Sequence, residues 1–227
     1  MADRNRKAKS MYSLMLSEDV VAMVDQLAYE RNTNRSNMIN QILAEYVSYE
    51  TPEMRLANIF RQLEETLCAD GKVFQRLAST SGTVLGVRSA LAYKYNPTVQ
   101  YRVELYKGSG AEIGELRVAL RTQNEGLIAC MQQYYRLWIA VERQNASPAP
   151  EYRIERDKLY RKLTYHRNPD GHAPEGGVPL GKMIADYVGK FDDGLKYWFA
   201  HLDAPALAER RIEALQQEYR AESVYRV

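Results

Sequence analysis

The chain has 227 residues, 45% of them hydrophobic, with 31 basic and 29 acidic residues and a formal net charge of +2. That length and apolar content can fill one large core or two modest ones, and the near balance of charge excludes a whole-chain field drawing the protein to polyanions, so any such contact has to be local. No apolar run approaches the roughly 18 residues of a membrane span, and "MADRNRKAK" lacks the apolar core of a signal peptide, so a cytoplasmic protein with no membrane partner is expected.

Residues 11–16, "MYSLML", alternate: Tyr12, Leu14 and Leu16 share one face of a predicted strand, and Met11, Ser13 and Met15 the other. From Glu18 the period becomes helical, with Val20, Val21, Val24, Leu27 and Ala28 in one stripe, Ser17 as N-cap, and Glu18 and Asp19 in the first turn. "RNTNR" breaks that pattern, and Asn34 caps a second helix with the stripe Met38, Ile39, Ile42, Leu43, Tyr46 and Val47. An isolated strand leaves its backbone donors and acceptors unpaired, and the segment holds no second strand. Its natural partner is the same strand of a second chain, which predicts an isologous homodimer with an antiparallel ribbon lying on four helices. The outer face of such a ribbon has the width of the DNA major groove.

The run "YSLML", "SED", "VVAMVDQLA", "RNTN", "RSNMINQILAEYV" resembles a ribbon-helix-helix DNA-binding domain of the Arc, MetJ and CopG type. The resemblance is continuous over residues 10–47, under a fifth of the chain. It implies an intertwined dimer in which Met11, Ser13 and Met15 read base edges. It also implies that backbone amides near Asn34, Arg35 and Ser36 clamp a phosphate, as a helix N-terminus does through its unpaired N–H groups and positive dipole. The strand departs from the family, whose readers are usually Arg, Lys, Gln, Asn or Thr. Two methionines offer only apolar contact, for example to thymine methyls, leaving Ser13 as the single hydrogen-bonding reader. Modest direct readout, an A·T-leaning site and dependence on DNA shape are expected. Arg4, Arg6, Lys7 and Lys9 precede the strand and would reach phosphates or a neighbouring minor groove.

A third helix opens at "TPE" with Thr51 as N-cap and Pro52 in its first position and stops at Gly71; the very short connection before it predicts a mechanical link between the first fifty residues and the rest of the chain. Residues 83–123 read as a three-stranded antiparallel meander. Val87, Leu91, Tyr93 and Tyr95 lie along the first strand, Val99, Tyr101, Val103 and Leu105 share a face of the second, and Leu116, Val118 and Leu120 share a face of the third. The third could instead begin a long helix near Glu112; the glycines Gly108, Gly110 and Gly114 and the regular alternation favour the strand. A helix over about 123–143 carries Leu127, Met131, Tyr134, Tyr135, Trp138 and Val141; "RIERDKLYRKL" reads as a charged helix and "RNPDGHAPEGGVP" as a loop. Two more helices, near 180–202 and 204–221, close the chain. The fold expected is α+β, with a DNA-binding and dimerisation domain over 1–50 and an α+β domain over 51–227 for ligand sensing, partner binding or oligomerisation.

Signals for chemistry are weak. Cys68 and Cys130 stand apart and read as reduced thiols. "HRNPDGH" places His166, Asp170 and His172 together without helical ligand spacing and reads as turn chemistry, and "YKGSGAEIGE" lacks the Lys-Ser/Thr of a phosphate loop and reads as a hairpin turn. Tyrosines at 93, 95, 101 and 106 read as cross-strand packing. No enzyme activity, metal or cofactor is expected. The function expected is a sequence-specific transcriptional repressor that binds double-stranded DNA as a homodimer or higher oligomer. The alternative is a plasmid-partition or relaxosome-type adaptor whose C-terminal domain recruits other proteins; an antitoxin fits less well, since its toxin-wrapping tail would be short and disordered.

Overall fold

A computed structural model describes residues 11–69, 74–78, 81–94, 96–107, 111–146, 148–164 and 179–222, the last four by backbone alone. The arm residues Arg4, Arg6, Lys7 and Lys9, the strand-end Tyr95, the glycines Gly71, Gly108 and Gly110, and the loop with His166, Asp170 and His172 lie outside the described residues. The chain divides into two compact units, Met1–Arg55 and Leu56–Val227.

The first unit holds α1 (Glu18–Glu30) and α2 (Arg35–Tyr46). Residues 11–17 carry neither helix nor strand. The alternating segment therefore forms no sheet within one chain, as an edge with no neighbour cannot. Helix α3 (Pro52–Leu67) opens at the unit boundary, with the Met54 amide donating to Thr51 Oγ1 at 3.1 Å, so the expected cap and first-turn proline are both in place.

The second unit is α+β. Its strands are β1 (Gln75–Leu77), β2 (Val84–Ala90), β3 (Thr98–Leu105), β4 (Glu112–Arg121), β5 (Tyr152–Glu155) and β6 (Lys158–Thr164). They form one antiparallel sheet in the order β1-β2-β3-β4-β6-β5. Helices α4 (Glu125–Asn145), α5 (Leu180–Ala200) and α6 (Pro205–Glu222) share the core with the body of α3. Leu85, Val87, Val99, Tyr101, Val103, Leu105, Leu116, Val118, Leu120, Leu159 and Leu163 line the inner face of the sheet and meet Tyr134, Tyr135, Trp138, Phe191 and Leu195. In register, Tyr101 stands between Val87 and Val118 at the centre of this face. Alternation places the residues between them on the outer face, which is why strands that read as half polar pack well on one side.

Three expectations are corrected. Among the described residues the sheet has six strands rather than three: β1 is too short to show a period, and β5 and β6 occupy the segment read as a charged helix. That segment turns at Arg156, whose φ is 43°, and then buries Leu159, Arg161 and Leu163 on alternate positions. Arg161 in the middle of that row hides the strand, because the alternation reads as apolar only once its carboxylate partner is known. The first meander strand ends at Ala90; Leu91 is buried just beyond it, and Tyr93 packs edge-on against Phe199. Glycine is required at Gly114, beside the irregularity in the β4–β6 ladder, since a Cβ there would stand 2.1 Å from the Glu104 carbonyl oxygen.

Candidate nucleic-acid interface

In the first unit both helices begin where their caps predict. The Val20 amide donates to Ser17 Oγ at 3.5 Å, and the Asn37 amide to Asn34 Oδ1 at 2.9 Å. Asn34 thus satisfies the third amide of α2. The amides of Arg35 and Ser36 precede the first intrahelical bond and have no carbonyl within the helix to bond. Asn34, Arg35 and Ser36 are all exposed or half-buried at the surface, so this helix start is open to an anion.

The Arg35 guanidinium is turned to α1. Its Nε and Nη2 donate to the two carboxylate oxygens of Asp25 at 2.6 and 2.5 Å. The fork holds the Asp25 carboxyl below its ordinary range and raises Arg35, in both cases mainly through these hydrogen bonds. Arg35 therefore ties the two helices together, and its side chain reaches a phosphate only by leaving Asp25; its amide needs no such move.

Met11, Ser13 and Met15 are all exposed, and no hydrogen bond joins them to the start of α2 among the described residues. Tyr12, Leu14 and Leu16, on the other side of the alternation, are 82%, 58% and 43% exposed. The unit's own core is small: Val24, Ala28 and Met38, with Leu27 and Ile39 against them. Val20, Met23, Ile42, Leu43, Tyr46 and Val47 also lie exposed. Most of the apolar stripe of α2 is thus left in water by the single chain.

Two buried polar centres in the second unit were not legible as sites. In the first, Arg161 (2% exposed) donates through Nε and Nη2 to Glu142 Oε1 at 3.1 and 2.6 Å. Glu142 Oε2 accepts from Tyr187 OH at 2.7 Å, from Trp138 Nε1 at 3.1 Å and from Tyr152 OH. Burial opposes the Arg161 charge, but Glu142 and the two tyrosines hold it well above its ordinary value, while burial pushes the Tyr152 and Tyr187 hydroxyls up. Glu142 stands one turn after Trp138 on the apolar face of α4, and an acid in that stripe was the one available signal. In the second centre, Asp192 of α5 accepts from Tyr101 OH at 2.8 Å and from Ser89 Oγ, and pairs with Lys196 Nζ at 2.5 Å. It floors a cavity of about 410 Å³ whose other cations are also paired, Lys190 and Arg211 both with Glu218. Of the cysteines, both free, Cys68 has its thiol pushed up by burial.

The chain matches no protein-family model, no curated protein and no solved structure.

Proposed function

We propose that the chain is a sequence-specific DNA-binding protein, a transcriptional repressor, built on a ribbon-helix-helix dimer of residues 1–50. The observation that carries this reading is the incompleteness of the first unit. Among the described residues its alternating segment has no strand to pair with, and Leu14, Leu16, Val20, Ile42, Leu43 and Val47 stand exposed around two well-capped helices. Burying apolar area at about 25 cal/mol per Å² drives association of such a half-core, and pairing residues 11–16 with their copy satisfies the backbone. The ribbon so formed turns Met11, Ser13 and Met15 outward into the major groove. The free amides of Arg35 and Ser36 then hold backbone phosphates, with Arg4, Arg6, Lys7 and Lys9 as a basic arm.

The test is selection of bound duplexes from a random DNA pool at about 150 mM salt, where nonspecific phosphate attraction is weakened. A palindromic, A·T-leaning site is expected, and a pool that returns without enrichment overturns the reading. Cooperative filling of repeated sites would favour an adaptor over a repressor.

A further inference from the structure

The outer face of the sheet sets two arginines against each other. By register, Gly86, Arg102, Arg117, Tyr160 and Arg153 form one row across β2, β3, β4, β6 and β5, so Arg102 and Arg117 stand directly opposite one another. Like charges in that position destabilise an antiparallel pair. Three other cations on this face are engaged, while Arg121 at the end of β4 is not among the described residues: Arg88 donates to Gln75 Oε1 at 3.1 Å, Arg153 pairs with Glu155 at 2.5 Å, and Lys162 with Glu151 at 2.8 Å. Among the described residues neither the Arg102 nor the Arg117 side chain makes a hydrogen bond or ion pair. Glu104 and Glu115 face each other in the next row, yet neither pairs with an arginine among the described residues.

Both arginines instead line a notch. Gly86 has no side chain, and Leu77 of β1 stands against it, 3.3 Å from where a Cβ would be; the space beside them, about 140 Å³, is bounded by Arg102, Arg117, Gln100, Ser81, Leu77 and Val84. Glu104 and Glu115 do not reach it. A drug-sized ligand needs a cavity of roughly 300 Å³ or more, so the notch suits a compact head group. A guanidinium carries a fork of N–H donors that matches an oxyanion, and two of them offset the charge of about −1.5 to −2 that a phosphomonoester carries at neutral pH. The Gln100 amide adds a neutral hydrogen-bonding group at the rim, where the Ser81 hydroxyl is already joined to Thr83 Oγ1 at 2.8 Å.

We propose that this notch binds the phosphate group of a small phosphomonoester, the two arginines clamping the oxyanion and the body of the molecule lying over the open sheet. The site is independent of the DNA-binding reading, since it is built wholly from the second unit.

The experiment is calorimetric titration of the full chain with inorganic phosphate and with glycerol phosphate, each compared with chloride at equal ionic strength. One saturable site is expected for both phosphates and none for chloride. Arg102→Gln and Arg117→Gln should each weaken it by about tenfold or more, as loss of half a charge-assisted clamp implies. Arg121→Gln, on the same face outside the notch, should bind like the parent. Thermal melts guard against misfolding: in phosphate-free, low-salt buffer the two notch variants should melt no lower than the parent, and only the parent should gain stability when phosphate is added. Equal binding by parent and notch variants overturns the proposal, as does an equal response to chloride. A short DNA duplex that displaces glycerol phosphate at matched phosphate concentration would also overturn the small-molecule assignment, placing a phosphodiester in the notch.

Discussion

Removing the Glu142 carboxylate leaves the Arg161 guanidinium buried among Tyr152, Tyr187 and Trp138 with no counter-charge. Breaking one side of a buried pair costs about 3–5 kcal/mol, whereas replacing both partners by apolar residues of similar volume is often near neutral. Glu142→Gln should therefore lower unfolding stability in urea by several kcal/mol, and the double variant Glu142→Leu/Arg161→Met should recover the part of the loss owed to the unpaired charge, while Tyr152, Tyr187 and Trp138 stay without their shared acceptor. A double variant as unstable as the single one would mean that the hydrogen bonds to Glu142, rather than its charge, hold the cluster. In the first unit the single-residue prediction concerns Ser13, the one hydrogen-bonding side chain on the proposed reading face. Ser13→Ala should reduce discrimination between the selected site and random DNA by about 1–3 kcal/mol at most, measured by competition binding. Equal losses on both DNAs would remove Ser13 from base readout.

At the scale of elements, α2 depends on its cap. Asn34→Ala removes the acceptor of the Asn37 amide, and a loss of about 1 kcal/mol is expected in thermal or urea unfolding of the first unit. If the amides of Arg35 and Ser36 hold phosphate, the same change loosens the helix start that presents them, so weaker binding to all duplexes accompanies it. The basic arm acts differently from the cap. Deleting residues 1–9 removes four cations per chain, and it should weaken binding to every sequence and flatten the dependence of affinity on salt. A salt slope identical to that of the full chain would show the arm makes no phosphate contact.

For the whole molecule the question is how many chains complete the first unit. Val24, Ala28 and Met38 are a small core for two helices, and the exposed Leu16 and Leu43 would extend it through another copy in the proposed dimer. The parent protein should therefore sediment as a dimer, and Leu16→Glu combined with Leu43→Glu should shift it to monomer at micromolar concentration, with loss of duplex binding but not of the second unit's cooperative melt. A parent that is monomeric at that concentration would remove the basis for the ribbon. The second unit, with a continuous core from Leu56 and Leu63 of α3 through the sheet to α5 and α6, needs no such partner to bury its apolar residues.

Sequence by itself determined the helices of the first unit, their caps at Ser17 and Asn34, the Thr51–Pro52 start of α3, and the inward faces of β3 and β4. These depend on periods and capping groups within a few residues of one another. It suggested a helix over residues 153–163, because Arg161 in a core position has a strand's place only opposite Glu142, nineteen residues back and on another element. The six-strand order, the Asp192 centre and the row that sets Arg102 against Arg117 belong to tertiary structure alone. Strand register brings together residues that no local spacing relates, and a charge is tolerated in a core, or left unpaired on a sheet, according to partners the chain supplies from far away in sequence.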